Sequence, residues 1–495
     1  MQLKTSNSLK INNQSHDNTD PTSSMSWGRK MQKLNQIKPI IQEQSSHIEN
    51  KNTFSLNYSQ THNALRIIDC SLGMPGHRCA RHGSHLKDLI DINDFESYTD
   101  PLGKSEYRQA VADALNNRHF SSTANILNGN NIAFTNGATG GFRNVLQAVP
   151  GTLIIPDLCY PGYSAMAKII PDFNRNFHEI TSIKSDRGLP TAELIISQLD
   201  KIAFMQNKDV KKLQTIVVLT SPGNPIGRSF NKQELNIIFK ALESYSNTKI
   251  VVDETYHAIS FNDEEKNSAL DVIDLINPQI IVLRSLSKGF SLPGIRGGLI
   301  VADSCLIEKI QTLQFNNVVH ANCFSQKLMV DSLKDYHYEK DAGQFYKDRV
   351  LPFHNFCKEN NLVPKDETLQ GGFFVLSDFI TMQGNALSEK AQVILQSFNY
   401  PNPIPTQVTD VITAAVDLFD KTKIIAVPWF REGCSEELKN SEYLLRFALV
   451  HTENKTDDLI ERLKEYIEFS NTTSESISES DSSDNETISK KLKAA

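Results

Sequence analysis

The sequence predicts an α/β protein: a three-layer α/β/α large domain around a mainly parallel sheet, with a smaller α+β domain after it. Three observations predict this. Short apolar runs alternate with longer amphipathic stretches through the middle of the chain. The runs are rich in Val, Ile and Leu, as strands buried on both faces are. The residues with chemical potential follow those runs directly, and parallel sheets bind ligands beyond the carboxyl ends of their strands.

The runs Thr152–Pro156, Thr215–Thr220, Lys249–Asp253, Gln279–Leu283 and Gly298–Ala302 predict strands. Helices are predicted over Lys104–Asn116, Thr139–Ala148, Ala192–Met205 and Lys232–Ser246. Strands alternating with helices imply a parallel sheet. After about residue 347 the pattern changes. A long helical opening leads to a Gly371–Gly372 hinge, strand-like segments at Phe373–Leu376 and Leu444–Val450, and a last helix at Lys455–Phe469. The expected division is a segment over 61–104 that packs with the small domain, a large domain over 105–346 and a small one over 347–470.

The ends differ in composition. Residues 1–60 are rich in Ser, Asn, Gln, Lys and His, and predict a disordered arm. Residues 471–495 are acidic and Ser-rich, and predict a disordered tail, a solvating linker in preference to a secretion signal. The full chain of 495 residues carries 51 basic and 58 acidic side chains, a formal −7, which argues against a nucleic-acid partner. No apolar run reaches the roughly 18 residues that a membrane span needs. The first residues lack the apolar core of a secretory signal. Seven scattered cysteines without a CxxC pair read as reduced thiols, with no metal site and a cytoplasmic location.

Lys288 follows the run Ile280–Leu283, in Ser285-Leu286-Ser287-Lys288. Taken alone it is a solvated loop lysine. If partly desolvated, its amine has a lowered pKa and can attack a carbonyl. Asp253 ends its strand and opens Asp253-Glu254-Thr255-Tyr256. It either caps a helix or pairs with a protonated heterocycle nitrogen. Asn224 stands in the rigid turn Ser221-Pro222-Gly223-Asn224-Pro225-Ile226-Gly227. The segment Thr135-Asn136-Gly137-Ala138-Thr139-Gly140-Gly141 opens a helix whose N–H groups suit a phosphate. Arg296 follows Lys288 by eight residues, and its plain reading is a surface ion pair.

In this order and spacing, these segments resemble the fold-type I pyridoxal phosphate (PLP) enzymes, in the class I/II aminotransferase group, from about Asp69 to Phe469. The resemblance implies the PLP-dependent transferase fold and the following roles. Lys288 holds PLP as an aldimine and shuttles the substrate proton. Asp253 pairs with the pyridine nitrogen, and Tyr256 and Asn224 bond its phenolic oxygen. Ser285, Ser287, Arg296, Ala138 and Thr139 hold the phosphate. Tyr160 stacks on the ring, and Arg446 forks onto the substrate α-carboxylate. Gly73 lies against the substrate. Tyr98 reaches the phosphate of a second subunit, which implies a homodimer.

Several positions depart from the family pattern. Ile226 replaces a threonine in the NPTG turn, and Gly289 follows the lysine. Trp429 and Phe430 stand where small residues are usual, and either line a pocket or pack between domains. The stretch His77-Arg78-Cys79-Ala80-Arg81-His82 and Arg431 are candidate readers of an acidic side chain; a solvated loop is the plainer reading. The function implied is an aminotransferase acting on an amino acid and a 2-oxo acid. The alternatives are a lyase or synthase of the same fold and, more remotely, a PLP-binding or secreted protein without turnover.

Overall fold

The structure, a computed structural model, describes residues 24–36, 66–79, 96–120, 126–185, 187–262, 267–273, 277–433 and 441–470. Strand β1 (Ile68–Asp69) comes first and lies apart from the central sheet. That sheet contains β2 (Ile132–Asn136), β3 (Thr152–Pro156), β4 (Ile180–Ile183), β5 (Thr215–Thr220), β6 (Thr248–Asp253), β7 (Ile280–Ser285) and β8 (Gly297–Val301). Their order across the sheet is β2-β8-β7-β6-β5-β3-β4. Neighbours from β4 through β7 pair parallel. β8 runs antiparallel to both of its neighbours, so the run at Gly298–Ala302 is a strand of the opposite sense.

Period-two alternation explains why these runs are apolar throughout. Val217, Leu219, Ile250, Val252 and Val282 face one core with the helices Ala192–Gln206 and Lys232–Leu242. Ile216, Val218, Val251, Ile281 and Leu283 face the other, with the helices Gly137–Ala148 and Ser304–Val318. Local signals fix the helix starts. The Thr191 hydroxyl accepts from Leu194 N, and Asn231 with Glu234 forms a capping box. The second of these helices stops at Leu242, four residues before the expected Ser246.

The smaller lobe holds β9 (Phe374–Asp378), β10 (Ile424–Ile425), β11 (Val427–Pro428) and β12 (Leu444–Ala448). An antiparallel sheet runs β11-β12-β9, while β1 pairs parallel with β10. The helix Tyr336–Glu359 joins the two lobes, with Tyr338 and Ala342 in the large core and Tyr346, Val350 and Phe353 in the small one. The expected boundary at residues 346 and 347 therefore falls inside a helix.

The arm requires a correction. Ser24–Gln32 is helical and Lys33–Gln36 continues it as a 3-10 turn. Met31 and Leu34 are fully buried in the core of the small lobe. Burying each stabilises by roughly 1.5–3 kcal/mol, which offsets the cost of ordering a short segment. Residues 1–23 and 37–60 of the expected arm, and the tail over 471–495, lie outside the described residues.

Candidate active site

A cavity of about 470 Å³ opens at the carboxyl ends of β5, β6 and β7, against the small lobe. Small-molecule sites have this size. A larger hollow along the helix Ala192–Gln206 is an open surface groove lined by residues of that one helix.

Lys288 follows β7 by three residues and enters the cavity, where its Nζ donates to the Gly73 carbonyl. Burial draws the amine down to about 8, helped by the positive charges of Arg446 and Arg296. Asp253, the last residue of β6, is held at both oxygens. Its Oδ2 accepts from Tyr163 Oη at 2.6 Å, and its Oδ1 accepts from Thr255 N at 2.9 Å and Thr255 Oγ1 at 2.6 Å. These bonds fix the direction of the carboxylate and leave further lone pairs facing the cavity. Tyr256 is buried with its ring against Phe373 and Phe374, and burial pushes its phenol well above the ordinary range.

An anion cradle lies beside Lys288. The helix Gly137–Ala148 starts at the wall with no side-chain cap, and Ala138 and Thr139 line the cavity there. Arg296 closes the cradle. Its Nη1 donates to Pro293 O at 2.7 Å and to Ser287 Oγ at 3.4 Å. A Cβ on Gly137, whose φ is +74°, would stand 2.6 Å from Arg296 Nη2. Gly298 is required for a similar reason, since a Cβ there would stand 2.4 Å from the Gly137 carbonyl carbon. Ser285 Oγ accepts from Ser287 N at 3.1 Å and donates to Gly297 O at 3.2 Å.

Arg446 reaches the cavity from the middle of β12. Its Nη2 donates to Ser71 O at 3.0 Å and its Nη1 to Asn224 Oδ1 at 3.4 Å. The guanidinium lies 4.5 Å from the Phe374 ring and 4.7 Å from the Trp429 ring. Its buried Nε has no hydrogen-bond partner. Desolvation lowers the group to about 10. A buried cation with an unused donor is ready for an anion.

Lys288, Asp253, Tyr256, Asn224, Tyr160, Ala138, Thr139, Ser285, Ser287, Arg296, Arg446 and Gly73 all line this one cavity. Tyr98 does not; it is 83 % exposed, and its nearest ring partner is His320 at 6.0 Å. Trp429 is a cavity residue, whereas Phe430 packs on the small-lobe core. Arg431 does not read substrate. It is clamped by Asp157 at 2.6 Å and by Glu442 at 2.6 and 2.8 Å. His77 packs against Tyr338 and Phe345, and residues 80–82 lie outside the described residues. Cys159 belongs to the core beneath Tyr160, and burial holds its thiol protonated.

Tyr163, Thr255, Phe374, Arg29 and Gln32 also line the cavity and were not singled out in the sequence. Tyr163 lies one helical turn from Tyr160, a spacing that could have flagged it. Trp27, Met31 and Leu34, at helical spacing within the polar arm, were the corresponding signal for Arg29 and Gln32.

A desolvated lysine, a fixed carboxylate and an anion cradle, set at the ends of parallel strands, define a fold-type I PLP enzyme. Residues 74–463 match the family Aminotransferase class I and II, and the chain belongs to that family, which uses pyridoxal phosphate. Among relatives, 1-aminocyclopropane-1-carboxylate synthase 4 of Arabidopsis thaliana is 29% identical over 219 residues, covering 42% of this chain and 44% of that protein. "Probable aspartate/prephenate aminotransferase" of Rickettsia felis is 29% identical over 138 residues, covering 27% of this chain and 34% of that protein. The chain thus spans less than half the length of either relative. The fold matches that of the aspartate aminotransferase of Rhizobium meliloti with a TM-score of 0.64 at 18% identity, over 85% of this chain and 97% of that one.

The donor set fits the cofactor. The uncapped helix start and Arg296 suit its phosphate, Asp253 its ring nitrogen, and Lys288 its carbonyl.

Proposed function

We propose that this protein is an aminotransferase that moves an amino group between an amino acid and a 2-oxo acid. The observation that carries the reading is the meeting of Lys288, Asp253 and Arg446 in one cavity, with an unused buried donor on Arg446. Pyridoxal phosphate, when bound, supplies a carbonyl for the amine and a ring that holds the electrons released at the α-carbon. Arg446 binds the α-carboxylate and orients the α-carbon toward Lys288. The Lys288 amine takes the α-proton and returns it to the acceptor carbon. Asp253, fixed by Tyr163 and Thr255, would hold the cofactor's ring nitrogen in its protonated form. Phe374 and Trp429 exclude water from the Arg446 fork, which strengthens its ion pair. Exposed Tyr98 is proposed to complete the phosphate site of a second copy.

A second reading comes from the Arabidopsis relative. The same residues would serve a lyase or synthase that expels a side-chain substituent. The test is a visible spectrum of the loaded protein with one amino acid at a time, followed by a 2-oxo acid. Transfer predicts loss of the yellow band and its return with the 2-oxo acid. A band that never bleaches, with release of ammonia or of the substituent, would establish elimination.

A further inference from the structure

Gly73 belongs to residues 71–77, a stretch outside helix and strand that brings Ser71, Leu72, Gly73 and Met74 to the cavity wall. Its carbonyl accepts from Lys288 Nζ. No strand ladder sets the direction of a carbonyl in such a stretch, so its flanks must. On one flank, Ser71 N and Oγ donate to Asp69 Oδ1 at 2.9 and 2.6 Å, and Ser71 O accepts from Arg446 Nη2 at 3.0 Å. On the other flank, Gly76 N and His77 N both donate to Tyr346 Oη, at 3.1 and 3.3 Å. Gly76 also lies hard against the small lobe: a Cβ there would stand 1.5 Å from Val450 O. Tyr346 sits in the helix Tyr336–Glu359, fully buried, with its ring 5.1 Å from Phe373 and 5.0 Å from Phe345. Its oxygen is therefore a fixed point, and two successive amides hang on it. Tyr346 does not line the cavity, and the proposed function gives it no task.

We propose that Tyr346 is a positioning residue for Lys288: by holding the Gly76 and His77 amides, it sets the Gly73 carbonyl against the lysine amine. The inference rests on the assignment of Lys288 as the reacting amine in the reading above. A carbonyl aimed at Nζ favours the ammonium form, because an ammonium is the stronger donor. It thereby opposes the burial and the two arginines that draw Lys288 down to about 8. In the neutral amine the same bond takes up one N–H and turns the lone pair away from Gly73. The helix that joins the lobes thus reaches the reacting nitrogen through one phenol and a short stretch of backbone.

The test is the pH dependence of PLP uptake by the full-length, cofactor-free protein, followed by stopped-flow absorbance, with denaturant unfolding measured alongside. Tyr346→Phe keeps the ring and removes only the oxygen. The other titratable and charged groups around Lys288 are Arg29, Asp253, Tyr160, Tyr256, Arg296 and Arg446, and all of them remain in the variant. A change in midpoint therefore reports the Gly73 carbonyl. The midpoint of Tyr346→Phe is expected to fall by about half a unit or more below that of the wild type. Tyr338→Phe is the comparison. The Tyr338 phenol donates to Arg78 O at 3.0 Å, further along the chain, so its loss should leave the midpoint in place. A midpoint that stays or rises in Tyr346→Phe, whatever its stability, overturns the inference and leaves Lys288 as the reacting amine. An equal fall in Tyr338→Phe also overturns it, because a general loosening would then explain both. Uptake that persists in Lys288→Ala overturns the assignment of Lys288 itself, and the inference with it.

Discussion

At the scale of single residues, the site depends on charges placed out of water. Lys288 sits near 8 because burial and two arginines disfavour its ammonium form. Only the neutral amine is a nucleophile. The rate of PLP uptake by the cofactor-free protein should therefore rise with pH, about tenfold per unit, and level off above about 8. Stopped-flow absorbance measures this. Arg446→Gln removes a positive neighbour and should move the midpoint upward. Trp429 contacts the Arg446 guanidinium at 4.7 Å, a contact worth roughly 0.5–2 kcal/mol. Trp429→Leu should raise KM for the amino acid several-fold with little change in kcat, as steady-state kinetics would show. Lys288, Asp253 and Arg446 were legible in the sequence because each sits in a short motif or apolar strand where a charge is out of place. Phe374 was not legible, since a buried aromatic residue reads as core whether or not it faces a cavity.

At the scale of elements, two-sided burial made the central strands legible. β3 and β5 match the expected Thr152–Pro156 and Thr215–Thr220 residue for residue. Strand sense was not legible, because β8 is as apolar as its parallel neighbours yet runs the other way. β4, only partly buried at the sheet edge, lacked a clear apolar signal. The arm misled for a related reason. Its composition is polar on average, and the two side chains that anchor it, Met31 and Leu34, weigh little in that average. Between the lobes, Arg431 bridges Asp157, just after β3, and Glu442, just before β12. Asp157 is fully buried, so Arg431→Met leaves its charge uncompensated. That variant should lose about 3–5 kcal/mol in denaturant unfolding. Replacing Asp157 by Asn in the same chain should recover part of the loss. A loss under about 1 kcal/mol would mean that the clamp is not a stabilising link.

At the scale of the whole molecule, the cavity is built from both lobes and the arm helix, so its geometry depends on how they are held together. The described helices include none long and apolar enough to cross a membrane. Tyr98 is exposed and lies outside its own cavity, and the proposed shared site would set it against a second copy. If sites are shared, a Tyr98→Ala protein and a Lys288→Ala protein, each nearly inactive, should regain part of the activity when unfolded and refolded together. No recovery, with a monomer by ultracentrifugation, would remove the second copy from the account. Lys288 is proposed to carry the cofactor, and borohydride reduction of the PLP-loaded protein followed by peptide mass mapping tests this. One reduced PLP adduct is expected, on the peptide that contains Lys288, and none in Lys288→Ala. An adduct on another lysine, or none in the wild type, would contradict it.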